Sequence, residues 1–242
     1  MSEKGFTYMR EEVFKKPWQK ELAQKNVFCT ADEEGNRKYT VRRLEKLRRR
    51  PFYAFFKRLF DFFTALIGLA VCLVPMIVIA IAIAVDSRGP IIYKQRRVGY
   101  KGREFTLLKF RSMYEDAERN GAVWAAEHDV RATRVGRILR KTRLDELPQL
   151  FNILVGQMSV VGPRPERAVF YEEFGKYIDG FEQRYLVIPG LTGWAQVNGG
   201  YDLLPEEKIV YDIDYIERRS LMMDLRCIMQ TVTVIFSHEG AR

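Results

Sequence analysis

Asp145 and Glu146 stand side by side directly after Arg131, Arg134, Arg137, Arg140 and Arg143, which recur at every third position with Lys141 among them. Adjacent carboxylates in such a setting suit two kinds of chemistry. They can hold a divalent cation through hard oxygen ligands, which fits Mg²⁺ better than zinc. They can also supply a charged oxygen nucleophile to phosphorus. Pro148 is tolerated in a first helical turn, where its missing N–H would be unpaired anyway. A helix beginning at Leu144 or Asp145 and running through Leu154 is therefore predicted, with both carboxylates at its positive end. There the dipole and the arginines would keep Asp145 ionised and attract phosphate. The competing reading is a plain helix cap beside a solvated basic face, with Glu146 toward water. Spacing alone leaves both open.

Other residues offer anion chemistry. Arg164 sits between two prolines in Gly162-Pro163-Arg164-Pro165, so a stiff backbone holds a guanidinium suited to bidentate phosphate binding. Lys109 and Arg111 stand at the end of a predicted strand. Gln95, Gln196 and Asn198 are candidates for contacts to a base or a sugar hydroxyl. Gly99 and Gly102 form neither a dinucleotide fingerprint nor a P-loop, and His128 reads as structural.

The composition narrows the classes. The 242 residues carry a formal charge of +9 and are 47% hydrophobic, enough for a packed core. Cys29, Cys72 and Cys227 are odd in number and far apart, which excludes a disulfide framework. Two histidines, His128 and His238, make poor material for a zinc hydrolase or a Ser-His-Asp triad. A nucleic-acid binder would use the arginines but leaves two acids inside the basic patch unexplained, and no standard reading helix appears. A scaffold without catalysis is the other rival.

The element that must position this chemistry is apolar. Between Asp61 and Asp86 lie 24 residues without a charge, about 36 Å as a helix and enough for a hydrocarbon core of about 30 Å. Pro75 interrupts it. Arg37–Arg58 carries ten Lys+Arg against Glu45, and Asp86–Arg111 carries eight against two acids. A spanning helix should be lopsided in positive charge. The segment reads either as a kinked span or as a helix that enters and leaves on one side, and the symmetric flanks favour re-entry. Three parts follow: a basic N-terminal extension (1–50), an interfacial segment with the membrane helix (51–90), and a cytoplasmic domain (91–242). Within the extension, Arg37–Arg50 reads as a basic helix on headgroups or as a solvated stretch. Strands are predicted at Ile91–Tyr93 and Glu104–Phe110, and helices at Tyr114–Asp129 (in part), Arg131–Arg140, Tyr171–Arg184 and Glu206–Phe236. The last carries Leu221, Leu225, Ile228, Val232 and Ile235 on one stripe.

Taken together, KTRLDELPQLFNIL around Asp145-Glu146, KFRSM at 109–113, VGPRP at 161–165 and PGLTGWAQVNG at 189–199 resemble the bacterial sugar transferases. These are the monotopic polyprenyl-phosphate hexose-1-phosphate transferases. The resemblance covers roughly Phe56 to Phe236. It implies an α+β membrane-associated fold: a re-entrant helix broken at Pro75, a compact, mostly helical cytoplasmic catalytic domain with a small β element, and interfacial amphipathic helices. It implies transfer of a sugar 1-phosphate from a UDP-sugar to undecaprenyl phosphate at the cytoplasmic face of a bacterial inner membrane, initiating exopolysaccharide, capsule or related glycan synthesis. Asp145 would be the nucleophile, and Glu146 would either hold Mg²⁺ with Asp145 or manage the proton of the incoming phosphate. Lys109, Arg140 and Arg164 would bind phosphate, with Arg111, Gln196 and Asn198 as further substrate contacts. Membrane lipids and a second copy of the chain are expected partners, and nucleic acid is not. The family's serine before the helix-breaking proline is Val74 here, and Val130 stands where a proline is common.

Overall fold

A computed structural model describes residues 14–31, 36–44, 47, 49–117, 129–199 and 203–237. His128 and most of the helix expected before Asp129 lie outside the described residues. The fold is mixed, mostly helical, and carries one long apolar helix.

The chain opens with helix α1 (Pro17–Asn26), then an antiparallel hairpin of β1 (Val27–Ala31) and β2 (Arg37–Val41). The expected basic helix over Arg37–Arg50 is therefore corrected at its start. Tyr39 and Val41 alternate inward on β2 while Lys38 and Thr40 face water, a period of two that no helix satisfies. Phe14, Leu22, Tyr39 and Val41 share a hydrophobic cluster with Ile209, Tyr211, Ile213 and Ile216 of a C-terminal helix. The Phe14 ring stacks on Tyr211 at 5.9 Å.

Helix α2 (Pro51–Asp86) is 36 residues long and contains Pro75. Of its side chains only Asp61, Ala65, Ile79 and Ile83 are buried, so nearly the whole apolar circumference is exposed. Its polar contacts are at its two ends. Near the start, Arg58 donates to the carbonyls of Ile153 and Leu154, both at 2.7 Å, capping the short helix α4 (Gln149–Leu154). One turn on, Asp61 Oδ1 accepts from Ser159 Oγ (3.0 Å) and Val160 N (2.9 Å) in strand β5 (Ser159–Val161). At the far end, Asp86 Oδ2 accepts from Val135 N (3.1 Å) in helix α3 (Arg134–Thr142).

Strands β3 (Ile92–Val98) and β4 (Glu104–Phe110) pair antiparallel across the Gly99–Gly102 turn, which makes the first strand five residues longer at its far end than expected. Strand β5 pairs in parallel with β7 (Gly190–Thr192), and glycine is required there: a Cβ on Gly190 would stand 2.0 Å from Gly162 N. Between them come helix α5 (Ala168–Gly175), strand β6 (Ile178–Asp179), which joins β2, and a 3-10 segment, Phe181–Leu186. The single helix expected over Tyr171–Arg184 is thus broken, at Gly175 and at Gly180 with its φ of +95°. Helix α6 (Trp194–Gly199) precedes α7 (Pro205–Arg218) and α8 (Leu221–Ser237). These last two replace one predicted helix because Ser220 caps α8, its Oγ accepting from Met223 N at 3.2 Å. Of the predicted α8 stripe, Leu221, Leu225 and Val232 are exposed, whereas Ile228 packs on the core.

Candidate active site

A cleft of about 370 Å³ opens between β3, β4, α3 and the Pro163–Arg167 loop. Asp145, Glu146, Lys109, Arg111, Arg140 and Arg164 all line it, so six of the predicted site residues, drawn from four separate segments, share one cleft. Gln196 and Asn198 do not. Asn198 donates to Trp194 O within its own helix, and Gln196 lines a smaller chamber of about 20 Å³ bounded by Arg143, Arg164, Arg184, Ala195, Lys208 and Asp212. Gln95 lines the cleft with its amide already engaged by Arg97 and Tyr93.

The carboxylates do not begin a regular α-helix. Leu144–Glu146 is a 3-10 turn, entered through Arg143 in the left-handed conformation (φ 59°), and α4 starts only at Gln149. A helix of six residues provides a weak dipole, so side chains set the electrostatics. Both acids are buried. Arg164 donates through both terminal nitrogens to Glu146, at 3.2 Å for Nη1, and Lys109 Nζ stands 3.9 Å from the same carboxylate. That pairing outweighs burial and holds Glu146 down to about 2. Asp145 accepts no hydrogen bond from any described residue. Burial first, then the adjacent Glu146 charge, push its carboxyl up to about 6 against the pull of Lys109, Arg164 and Arg140. The guanidinium expected beside Asp145 goes to its neighbour instead, and a carboxyl at about 6 is still mostly ionised at neutral pH. Arg140 lines the cleft, but its ion-pair partner is Asp129 at 3.6 Å, a group that Arg131 also holds down to about 2. Lys109 is lowered by burial, with Glu146 opposing.

Residues 52–238 match the family described as bacterial sugar transferase. That span is most of the chain. The chain belongs to the bacterial sugar transferase family. It is 42% identical over 195 residues to the UDP-N-acetylgalactosamine-undecaprenyl-phosphate N-acetylgalactosaminephosphotransferase of Aeromonas hydrophila, covering 79% of this chain and 46% of that protein. It is 42% identical over 196 residues to the UDP-glucose:undecaprenyl-phosphate glucose-1-phosphate transferase of Xanthomonas campestris pv. campestris, covering 78% of this chain and 40% of that one. A putative undecaprenyl-phosphate N-acetylgalactosaminyl 1-phosphate transferase of Bacillus subtilis (strain 168) is 54% identical over 132 residues, 54% of this chain and 74% of its own. This chain thus spans less than half of the first two relatives.

In this member of the family the Pro-Arg-Pro loop is fixed by partners the sequence did not announce. Every carbonyl from 163 to 166 has a donor: Gly190 N to Pro163 O (2.9 Å), Arg184 Nη2 to Arg164 O (2.8 Å), Arg97 Nη1 to Pro165 O (3.0 Å) and Val98 N to Glu166 O (2.9 Å). Arg184 is itself buried against Asp212 at 2.7 Å, and Glu166 pairs with Arg97 and Lys208. Prolines already limit the loop's backbone, and this net fixes where Arg164 projects. Arg184 lay inside a segment read as helix, and Arg97 inside a strand ended too early, so neither gave a usable signal.

Proposed function

We propose that this chain transfers a sugar 1-phosphate from a UDP-hexose to undecaprenyl phosphate, giving undecaprenyl diphosphate-sugar and UMP. The observation that carries the reading is an unpartnered Asp145 carboxylate beside a neutralised Glu146, in a cationic cleft next to an apolar helix. Relatives named as undecaprenyl-phosphate sugar-1-phosphate transferases, with UDP-glucose and UDP-N-acetylgalactosamine in their names, support the same substrates.

In this reading Asp145 attacks the sugar-bearing phosphorus. The bond from that phosphorus to the UMP oxygen breaks, UMP leaves, and an aspartyl phosphosugar remains. An oxygen of the lipid phosphate then attacks the same phosphorus and releases Asp145. With a carboxyl at about 6, Asp145 is mostly ionised at neutral pH yet more basic than an ordinary aspartate, which favours attack. Glu146, already paired with Arg164 and Lys109, fixes those two cations where the transferring phosphoryl charge develops. The hard oxygen donors of Asp145 and Glu146 fit Mg²⁺, with other ligands left to substrate phosphates and water. Glu146 is the poorer of the two donors because Arg164 takes both of its oxygens. When bound, the ion would offset diphosphate charge.

The membrane helix reads as re-entrant. Leu69 packs on the Leu150 cluster and Met76 on the Phe110–Leu139 cluster of the same body. The six residues between them cover about 9 Å, under a third of a hydrocarbon core of about 30 Å. A helix held to one body near both ends keeps both basic flanks on one side, at the cytoplasmic face of a bacterial inner membrane. Val74 offers no hydroxyl to cap a break at Pro75, so packing must satisfy any freed carbonyl.

A panel of UDP-sugars with undecaprenyl phosphate and Mg²⁺, scored by UMP release, tests the function. Release with at least one UDP-hexose is expected. No release with any donor, from folded protein in lipid, overturns it.

A further inference from the structure

Arg111 stands apart from the other cations of the cleft. It is 5% exposed, and its Nη2 donates to Ser87 O (2.6 Å), Ser87 Oγ (2.9 Å) and Ile83 O (3.4 Å), the last acceptors of α2. Its Nε and Nη1 are buried without a hydrogen-bond partner, and no carboxylate among the described residues lies within ion-pair distance. Room for Nη1 depends on Gly89, φ +114°, where a Cβ would stand 2.4 Å from Nη1 and 3.1 Å from Glu115 Oε2. A buried guanidinium with two unanswered donors is costly unless an anion completes it. Nine Arg and Lys side chains line this cleft against four carboxylates, enough positive charge for more than one phosphate-bearing substrate.

The position says which phosphate. Arg111 grips the turn where α2 ends, and α2 is the long apolar helix whose side chains are nearly all exposed, so this cation sits at the end of the cleft that adjoins lipid. A molecule with an apolar tail in that lipid brings its head group to this end of the cleft, whereas a soluble nucleotide gains nothing from it.

We propose that Arg111 is the acceptor subsite, its Nε and Nη1 receiving the phosphomonoester of the polyprenyl acceptor at the membrane end of the cleft, with the isoprenoid chain in the lipid around α2. The proposal rests on the phosphosugar-transfer reading above. It also separates the roles of the cations: Arg164 and Lys109 serve the dyad, and Arg111 serves the lipid.

The test uses the full chain in nanodiscs, with a UDP-sugar that supports turnover, undecaprenyl phosphate and Mg²⁺. Arg111→Lys, which keeps the charge but loses the fork, is expected to raise the acceptor KM at least tenfold while the donor KM moves less than threefold. Ser87→Ala, which loosens only the helix contact, should leave the acceptor KM within threefold of wild type. An unchanged acceptor KM in Arg111→Lys, an equal rise in donor KM, or a matching rise in Ser87→Ala overturns the subsite. Failure of the wild-type chain to release UMP with donor alone counts instead against the covalent transfer reading.

Discussion

Arg164 gives both terminal nitrogens of its guanidinium to Glu146 and none to Asp145, the adjacent residue. One carboxylate of the pair is thereby neutralised, and the other is left for the nucleophilic role proposed above. Two titratable groups pushed apart in this way divide the labour of a site. Glu146→Gln should release Arg164 and lower the rate of UMP release at least a hundredfold. It also removes the like charge beside Asp145, so the acid limb of the remaining activity should move to lower pH. Stopped-assay pH profiles of the two proteins measure both effects.

The wild-type profile itself is specified. In the proposed mechanism Asp145 must be ionised to attack, and its carboxyl lies at about 6. The donor-only burst of UMP should therefore rise with pH through about 6 and then level. A midpoint near 4 would mean that Asp145 is not the group titrating.

Folding stability should run the other way. The folded carboxyl sits above its unfolded value of about 3.9, so the native state holds a proton that the unfolded chain has lost between those pH values. Stability conferred by that proton is complete below about 4 and is lost as pH rises through about 6. Asp145→Asn, permanently neutral, should abolish UMP release yet raise Tm at pH 7.5 by about 3–8 °C. The gain should vanish near pH 4, which differential scanning calorimetry at the two pH values checks.

Asp61 is 2% exposed and accepts from both Ser159 Oγ and Val160 N. Asp61→Ala strands two buried donors and should cost about 2–4 kcal/mol, with Asp61→Asn costing less because its carbonyl still accepts. Urea denaturation in detergent should rank wild type above Asn above Ala.

Topology is open to direct labelling. Phe52, in the first turn of α2, and Arg88, just past its end, are both exposed. Phe52→Cys and Arg88→Cys, placed in a chain lacking its own cysteines, should react with an impermeant maleimide only from the cytoplasmic side. Periplasmic labelling of either would mean a helix that crosses.

Much of the site could be read from the chain because it is local. Asp145-Glu146 after six basic residues, a guanidinium between two prolines, and a charge-free run of 24 residues between acids are patterns of neighbouring residues. Covalent constraint and charge act over a few positions, so the sequence states them outright. The β3–β4 hairpin was legible in the same way, through its glycine turn.

What lay beyond reading was decided by contacts between distant segments. Whether Arg164 would pair with Asp145 or Glu146, and hence which acid stays reactive, depends on where two loops 18 residues apart come to rest. Arg184 and Arg97 fix that loop from 20 and 68 residues away. Asp61 looked like the border of an apolar run and is a buried acceptor for a strand 99 residues later. The sequence alone determined that carboxylates, cations and a lipid-seeking helix coexist in this chain. Tertiary packing decided how they pair, because burial strengthens each charge interaction and makes every unmet hydrogen bond costly.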